Sequence, residues 1–275
     1  MKITFFLAVL VLLFVVTGCE TDSDNPSTGK LSINITDAPF PIDMVEEANV
    51  SINKIEIRKT GEGVDDGNPF LLISEEEQNF NLLELSNGVT AGLAEIEIPV
   101  GSYDLIRLYV SAASIKLKNG SEFDLTIPSG SQTGIKVFID PSIEVVGGLS
   151  AELLLDFDVS KSFVVQGNPD TPAGINGFHF KPSIRVSNIS TAGRITGFVS
   201  DTISVPAPDV LLSVLAADTT LSSTFSDETG YYALIGIPEG TYDLKVEEEG
   251  YKTDTIFGIN VTAGNNTVQD IALKP

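Results

Sequence analysis

The chain has 275 residues, of which 16 are Lys or Arg and 38 are Asp or Glu, giving a net charge of −22 at neutral pH. So acidic a surface is repelled by nucleic acid and by anionic lipid, so neither is an expected electrostatic partner. One cysteine and one histidine exclude a disulfide within the chain, a two-histidine zinc site and any dyad that needs a second imidazole.

Met1-Lys2 is followed by an apolar run from Ile3 to Val16 and then by Thr17-Gly18-Cys19. A single positive charge, a short apolar core and small residues before a cut site describe a secretory signal peptide, residues 1–18. The run is short for a permanent bilayer span. Val16-Thr17-Gly18-Cys19 resembles a bacterial lipobox. That resemblance implies cleavage before Cys19, two or three acyl chains on its mature form, and firm attachment to a membrane at about 0.8 kcal/mol per buried methylene. Residues 19–29 then read as the lipidated cysteine and a polar, flexible tether. Glu20, Asp22 and Asp24 resemble the acidic signal that sends some Bacteroidetes lipoproteins to the outer face of the outer membrane. The expected location is therefore the cell envelope, on the outer membrane and exposed at the cell surface, with a periplasm-facing position as the alternative.

Beyond the tether no segment keeps a helical period, and short alternating runs are separated by turn formers. Lys30–Thr36 places Leu31, Ile33 and Ile35 on one strand face. Val50 and Ile52 share one parity and Ile55 and Ile57 the other, which predicts a bulge near Asn53-Lys54. Gly61–Pro69 reads as a loop. Ile115–Lys118, Asn119-Gly120 and Phe123–Ile127 predict a hairpin, with Asn-Gly suited to a type I′ turn. Leu153–Val159 and Phe178–Val186 are further strands, and Ser187–Ala192 is a polar joint before a new start at Gly193. One phrase occurs twice: IPVGSYDL at 98–105 and IPEGTYDL at 237–244. Each combines a Pro-Gly turn with a strand carrying Tyr and Leu, the same device in both halves.

Two resemblances follow from the longer motifs. LSINITDAP from Leu31, the Val50–Ile57 strand, Asn81–Leu85, PVGSYDLIRL from Pro99, Pro128-Ser129-Gly130 with Gly134-Ile135-Lys136, Leu155–Asp158, Lys181-Pro182 and Ile184–Val186 resemble a lipoprotein domain of unknown function, number 4382, over residues 30–188. That resemblance names no activity. Gly197-Phe198-Val199, Pro208, Val210, Ser226–Tyr232, Ile237–Tyr242 and Gly250-Tyr251 resemble the carboxypeptidase regulatory-like family. It implies a transthyretin-like (prealbumin-like) sandwich over 193–275, an accessory module rather than a catalytic one, often grouped with starch-binding-like sandwiches. The fold class is thus all-β: two antiparallel β-sandwich domains after a signal peptide and a short tether.

The residues offer little chemistry. His179 alternates with Phe178 and Phe180 and reads as solvated. Asp156 and Asp158 project from one strand face about 6–7 Å apart, a spacing open to acid–base work. They read better as a structural charge ladder with Lys181 and Arg185. No phosphate loop, nucleophile elbow or dinucleotide fingerprint is present. No enzyme, catalytic residue, metal or cofactor is expected. Sugar modules stack pyranose rings on exposed aromatics, and this chain has no tryptophan. The regulatory-like resemblance implies that Tyr232 and Tyr242 lie inside, while Arg107, Tyr109, Tyr231 and Tyr251 are the candidate ligand-binding residues, Arg107 and Tyr109 sharing a strand face with Tyr103 and Leu105. The leading expectation is a non-catalytic, lipid-anchored envelope protein that binds carbohydrate or another extracellular ligand, its partners being the membrane through Cys19 and a glycan or a surface protein. The alternative is a structural or adhesive protein whose sandwiches act as spacer and protein-contact modules.

Overall fold

In a computed structural model of the chain, the structure describes residues 26–38, 44–61, 69–127 and 133–275. The expected signal peptide, Cys19, most of the tether and most of the 61–69 loop lie outside the described residues. The described chain forms twenty strands: β1 Thr28–Ala38, β2 Val45–Lys59, β3 Phe70–Ser74, β4 Gln78–Asn81, β5 Ala91–Pro99, β6 Gly101–Leu117, β7 Glu122–Asp124, β8 Ile135–Val145, β9 Ser150–Asp158, β10 Phe163–Gly167, β11 Ile175–Phe180 and β12 Ile184–Asn188 in the first half. In the second half they are β13 Gly193–Ser200, β14 Leu211–Ala216, β15 Thr219–Phe225, β16 Tyr231–Ile237, β17 Gly240–Glu247, β18 Asp254–Val261, β19 Asn266–Val268 and β20 Ile271–Ala272.

The first sandwich packs a sheet ordered β12-β9-β1-β5 against one in which β2 and β6 are central, flanked by β3 and β4 on one side and β7 and β8 on the other. The second packs β16-β13-β19, with β20 beside β13, against β15-β14-β17-β18. Each has its own apolar core, one reaching from Leu31 to Phe180 and the other from Ile195 to Leu273. The all-β, two-sandwich class stands, with one addition: β1 runs parallel to β9, and β13 parallel to β19 and β20. Local alternation reports a half-buried strand and says nothing of its neighbour's direction.

Several local expectations can be checked residue by residue. Leu31, Ile33 and Ile35 are fully buried in β1, but β1 begins two residues inside the expected tether, since Thr28 and Gly29 already pair with Pro99 and Ile98. The bulge in β2 falls where the parity switch placed it, between Ile52 and Lys54, so Val50, Ile52, Ile55 and Ile57 all reach the core. The β6–β7 hairpin forms, yet its turn is not type I′. Gly120 has φ +86° and Asn119 is not in the left-handed region. The Gly120 amide donates to the Leu117 carbonyl and the Leu117 amide to the Ser121 carbonyl, both at 2.8 Å. This is a three-residue loop closed by glycine in the αL conformation. The single strand expected over Phe178–Val186 is two, β11 on β10 and β12 on β9, because Pro182 brings no amide to a ladder.

The repeated phrase turns out to be the same structural device in each half. From β5 to β6, and from β16 to β17, the chain leaves one sheet and enters the opposite one. At each crossing a tyrosine hydroxyl reaches back four residues to the proline carbonyl: Tyr103 to Pro99 at 2.8 Å and Tyr242 to Pro238 at 2.9 Å. Ile98 and Ile237 anchor the approach and Leu105 and Leu244 the exit, all buried. This is the tyrosine corner that ties an inter-sheet turn in β-sandwiches. Gly101, at φ +147°, holds a backbone conformation that L side chains rarely adopt, and a Cβ there would also have to displace the end of the Lys59 side chain.

Asn188 ends β12 and Gly193 begins β13, so the sandwiches are joined by one short turn and packed directly together. Part of the outward face of β9, β1 and β12 is buried although it belongs to neither core, with Leu154, Thr36, Asp156 and Ser187 all covered. Leu154 and Ser187 lie against Gly236, and Gly88 against Ala233. Asn87, in the left-handed region at φ +54°, donates from its amide to the Tyr231 carbonyl at 3.2 Å and accepts from the Ala233 amide at 2.6 Å. One carboxamide thus pairs with the edge of β16 as a strand residue would.

Replacing Tyr103 with Phe removes one hydrogen bond while keeping the buried ring, and is expected to destabilise the first sandwich by about 1 kcal/mol. Tyr242→Phe, at a half-exposed corner, should cost less. Urea denaturation of each variant checks the order.

Candidate functional site

Arg107 and Tyr109 do share a face of β6, but Tyr103 is not on it. The β6 ladder skips Asp104 and Ser111 against β2, and each irregularity exchanges the faces. The core side of β6 is therefore Tyr103, then Ile106, Leu108 and Val110, then Ala113, Ile115 and Leu117. On the outer side Arg107 stacks on Phe70, its guanidinium carbon 3.6 Å from the ring centre. It lies 3.3 Å from Glu56, which also accepts from the Tyr109 hydroxyl at 3.0 Å and pairs with Lys54 at 2.8 Å. Lys54 in turn sits 5.1 Å from the Tyr109 ring. Burial works against ionisation of Glu56, but hydrogen bonds from Lys54 and Tyr109 outweigh it and hold the carboxyl below its usual range. The hydrogen bond that Lys54 donates to Glu56 raises Lys54 above its own. Arg107 and Tyr109 are thus engaged by an internal carboxylate, the residue sequence reasoning missed. Glu56 alternates with Ile55 and Ile57 like a solvated strand residue, and nothing local marks it as 6% exposed.

The tyrosine candidates are elsewhere. Tyr231 points away from the core as expected, meeting Phe198 edge-on at 5.5 Å, and Phe198 is 54% exposed. Tyr251 is half-buried at the turn after Gly250 and packs on the second core. Tyr232 is fully buried, its hydroxyl donating to the Gln269 carbonyl at 2.6 Å, and burial raises its pKa. Tyr242, expected inside, is only partly covered and packs on the core's rim. The four candidates do not converge: Arg107 and Tyr109 belong to one sandwich, and Tyr231 and Tyr251 to separate parts of the other.

The two carboxylates of β9 have separate structural roles. Asp156 pairs with Arg185 across the β9–β12 register, Oδ2 to Nη2 at 2.7 Å, and accepts from Ser222 of the second sandwich at 3.2 Å. Arg185 also donates to the Gly236 carbonyl at 2.8 Å. The pair is a largely covered clasp between sandwiches rather than an exposed ladder, because the second sandwich covers this part of the face. Asp158 caps a helical turn at Val159–Ser162, accepting from the Lys161 amide at 3.0 Å and pairing with the Lys161 ammonium at 2.6 Å. Its cation is Lys161, not Lys181, which lies in the break beside Pro182. His179 is exposed on β11.

A cleft of about 760 Å³ lies on the flank of the first sandwich, between the edges β5 and β3. Its lining includes Leu72, Leu93 and Ile96 with Glu75, Glu76, Glu95 and Glu152, and holds no aromatic residue, lysine or arginine. A second cavity of about 330 Å³ lies at the junction of the sandwiches, between Thr90, Ile189 and Arg194. Among the described residues no group of three or more His, Cys, Asp or Glu is placed to hold a metal ion, and no helix is long and apolar enough to cross a membrane.

No curated protein matches the chain. Among solved structures, a type II cohesin–X-dockerin complex from Acetivibrio cellulolyticus is 19% identical over 30% of this chain, with a TM-score of 0.26; the match spans 56% of that chain. The minor pilin of Streptococcus agalactiae is 10% identical over 88% of this chain and 95% of its own, with a TM-score of 0.26. A shaft pilin from Lactobacillus rhamnosus GG is 10% identical over 90% of this chain and 98% of its own, also at 0.26. Likeness this low says nothing of shared function. Residues 194–274 match the carboxypeptidase regulatory-like domain. Residues 28–182, more than half of the chain, match the domain of unknown function DUF4382, and the protein belongs to that family.

Proposed function

We propose that this protein is a non-catalytic component of the cell envelope, lipid-anchored through Cys19 at the outer membrane. Its two sandwiches act there as one stiff spacer and protein-contact unit. The observation that carries this reading is the junction between them. The Arg185–Asp156 pair, its carboxylate buried and its guanidinium largely covered, reaches both sandwiches, and Asn87 occupies the edge of β16. A hinged receptor would not need to bury these groups, whereas a rigid extension from a membrane does. The aromatic-free cleft and the internally engaged Arg107 and Tyr109 weigh the same way.

Binding of carbohydrate or another extracellular ligand is the second reading. It is favoured by the Phe198–Tyr231 pair, an exposed aromatic surface of the kind on which sugar rings stack.

Asp156→Ala removes the counter-charge of the largely covered Arg185 together with its hydrogen bond to Ser222, and is expected to weaken the junction by about 2 kcal/mol. The variant should unfold in two transitions rather than one and show a larger radius in small-angle scattering. Unchanged cooperativity and dimensions would count against the stiff unit. Cys19→Ser should release the protein from membranes into the soluble fraction, and continued retention would remove the anchor. On a glycan array the protein should give no signal; reproducible binding abolished by Phe198→Ala would instead establish the second reading.

A further inference from the structure

Strand β5 is the last in its sheet. β1 pairs with one side of it, and on the other the side-chain amide of Gln78 donates to the Leu93 carbonyl at 2.8 Å. Facing it is β3, the edge of the opposite sheet, and the two edges bound the 760 Å³ cleft. The comparable edge in the second sandwich, β16, is closed from within by Asn87. Nothing equivalent to that two-bond cover is placed along β5 among the described residues.

The chemistry of the cleft specifies what could lie there. Leu72 is 49% exposed, and with Ile96 it offers apolar contact on both walls. Lys30 pairs with Glu95 at 2.6 Å, and Lys54 only reaches Glu75 at 4.0 Å. Among the described residues no cation pairs with Glu76 or Glu152. An added strand would bond its backbone to β5 and turn alternate side chains into the cleft. With four glutamates and no basic residue in the lining, the cleft complements a basic strand and repels an acidic one.

We propose that this cleft receives an extended segment of a partner protein, alternating apolar with Lys or Arg side chains, which adds to β5 as a further strand. This deepens the protein-contact reading and rests on it. The competing role for these glutamates is defensive, since charges on an edge strand also keep it from pairing with other chains.

The test uses the whole chain in detergent and a fluorescent synthetic peptide of about nine alternating Lys and Val residues, a usual strand length. A Glu–Val counterpart and a Lys–Val peptide with a central proline serve as comparisons. The Lys–Val peptide should bind, weaken several-fold as salt is raised, and slow hydrogen exchange of the β5 amides. The other two should not bind. Glu76→Lys with Glu152→Lys should weaken binding about tenfold, the scale of losing close charge partners at an interface, with the unfolding midpoint unchanged. The proposal is overturned if the proline peptide binds equally, if β5 gains no protection, or if the double variant binds as before. A blank for all three peptides also overturns it and leaves the glutamates as edge guards. The stiff-spacer reading is judged by Asp156→Ala, so failure here with an intact junction removes only the strand-addition site.

Discussion

Arg185 is held on Asp156 across two adjacent strands of one sandwich, and its other amino group reaches a carbonyl of the next. A planar guanidinium with a fork of donors serves both partners at once, which the single ammonium of a lysine cannot do with the same geometry. Around it, Thr36, Asp156, Ser187 and Leu154 form a sheet face that would be solvated in an isolated sandwich. Once the second sandwich covers that face, each polar group needs a partner, because an unpaired buried charge costs several kcal/mol. Thr36 donates to the Leu85 and Val89 carbonyls of its own sandwich, whereas Asp156 Oδ2 is met by Arg185 and by Ser222 of the second sandwich, and Arg185 reaches the Gly236 carbonyl. Displacing the sandwiches would break several of these bonds together, those of Asn87 to β16 included.

Within each sandwich the corresponding constraint is the passage between sheets. No disulfide ties the layers, so each core depends on apolar contact and on crossings that deliver strands at the right angle. The Ile-Pro-Xaa-Gly-Xaa-Tyr-Asp-Leu phrase performs such a crossing in both halves. Isoleucine ends one strand in the core, proline stops its ladder, and the tyrosine hydroxyl ties the new strand back to the proline carbonyl. The aspartates that follow are also used, Asp104 in a two-point pair with Arg58 at 2.9 Å and Asp243 accepting from the Gly258 amide at 3.0 Å. The echo reflects the same mechanical problem solved twice with the same residues.

The candidate ligand residues show where reading from sequence stops. Arg107 beside Tyr109 on one strand looked like a pair free to meet a ligand, yet both are engaged by Glu56, which lies 51 and 53 residues away. A strand residue's neighbours belong mostly to other strands, and their identity depends on pairing register that alternation does not encode. Tyr103 was misplaced for a related reason: Asp104 carries no signal of the irregularity it creates, whereas in β2 the apolar residues themselves change parity. The acidic cleft was equally hidden, its lining coming from β1, β3, β4, β5 and β9.

Sequence alone determined the features whose cause is local. The β1 and β2 apolar faces, the β2 bulge, the hairpin at Asn119-Gly120 and the doubled crossing phrase follow from a two-residue period, from proline and glycine, or from a near-identical local echo, and the buried Tyr232 with its outward neighbour Tyr231 from the regulatory-like resemblance. Tertiary structure alone decided that β1 lies parallel to β9, that β5 and β3 remain edges around a cleft, and that the outer face of β9 is buried. It also turned Asp156 and Arg185, 29 residues apart, from a pair read as exposed into a clasp between sandwiches. The reason is physical. Alternation records whether a side chain leaves water, but which distant surface removes it from water is chosen only when the whole chain packs.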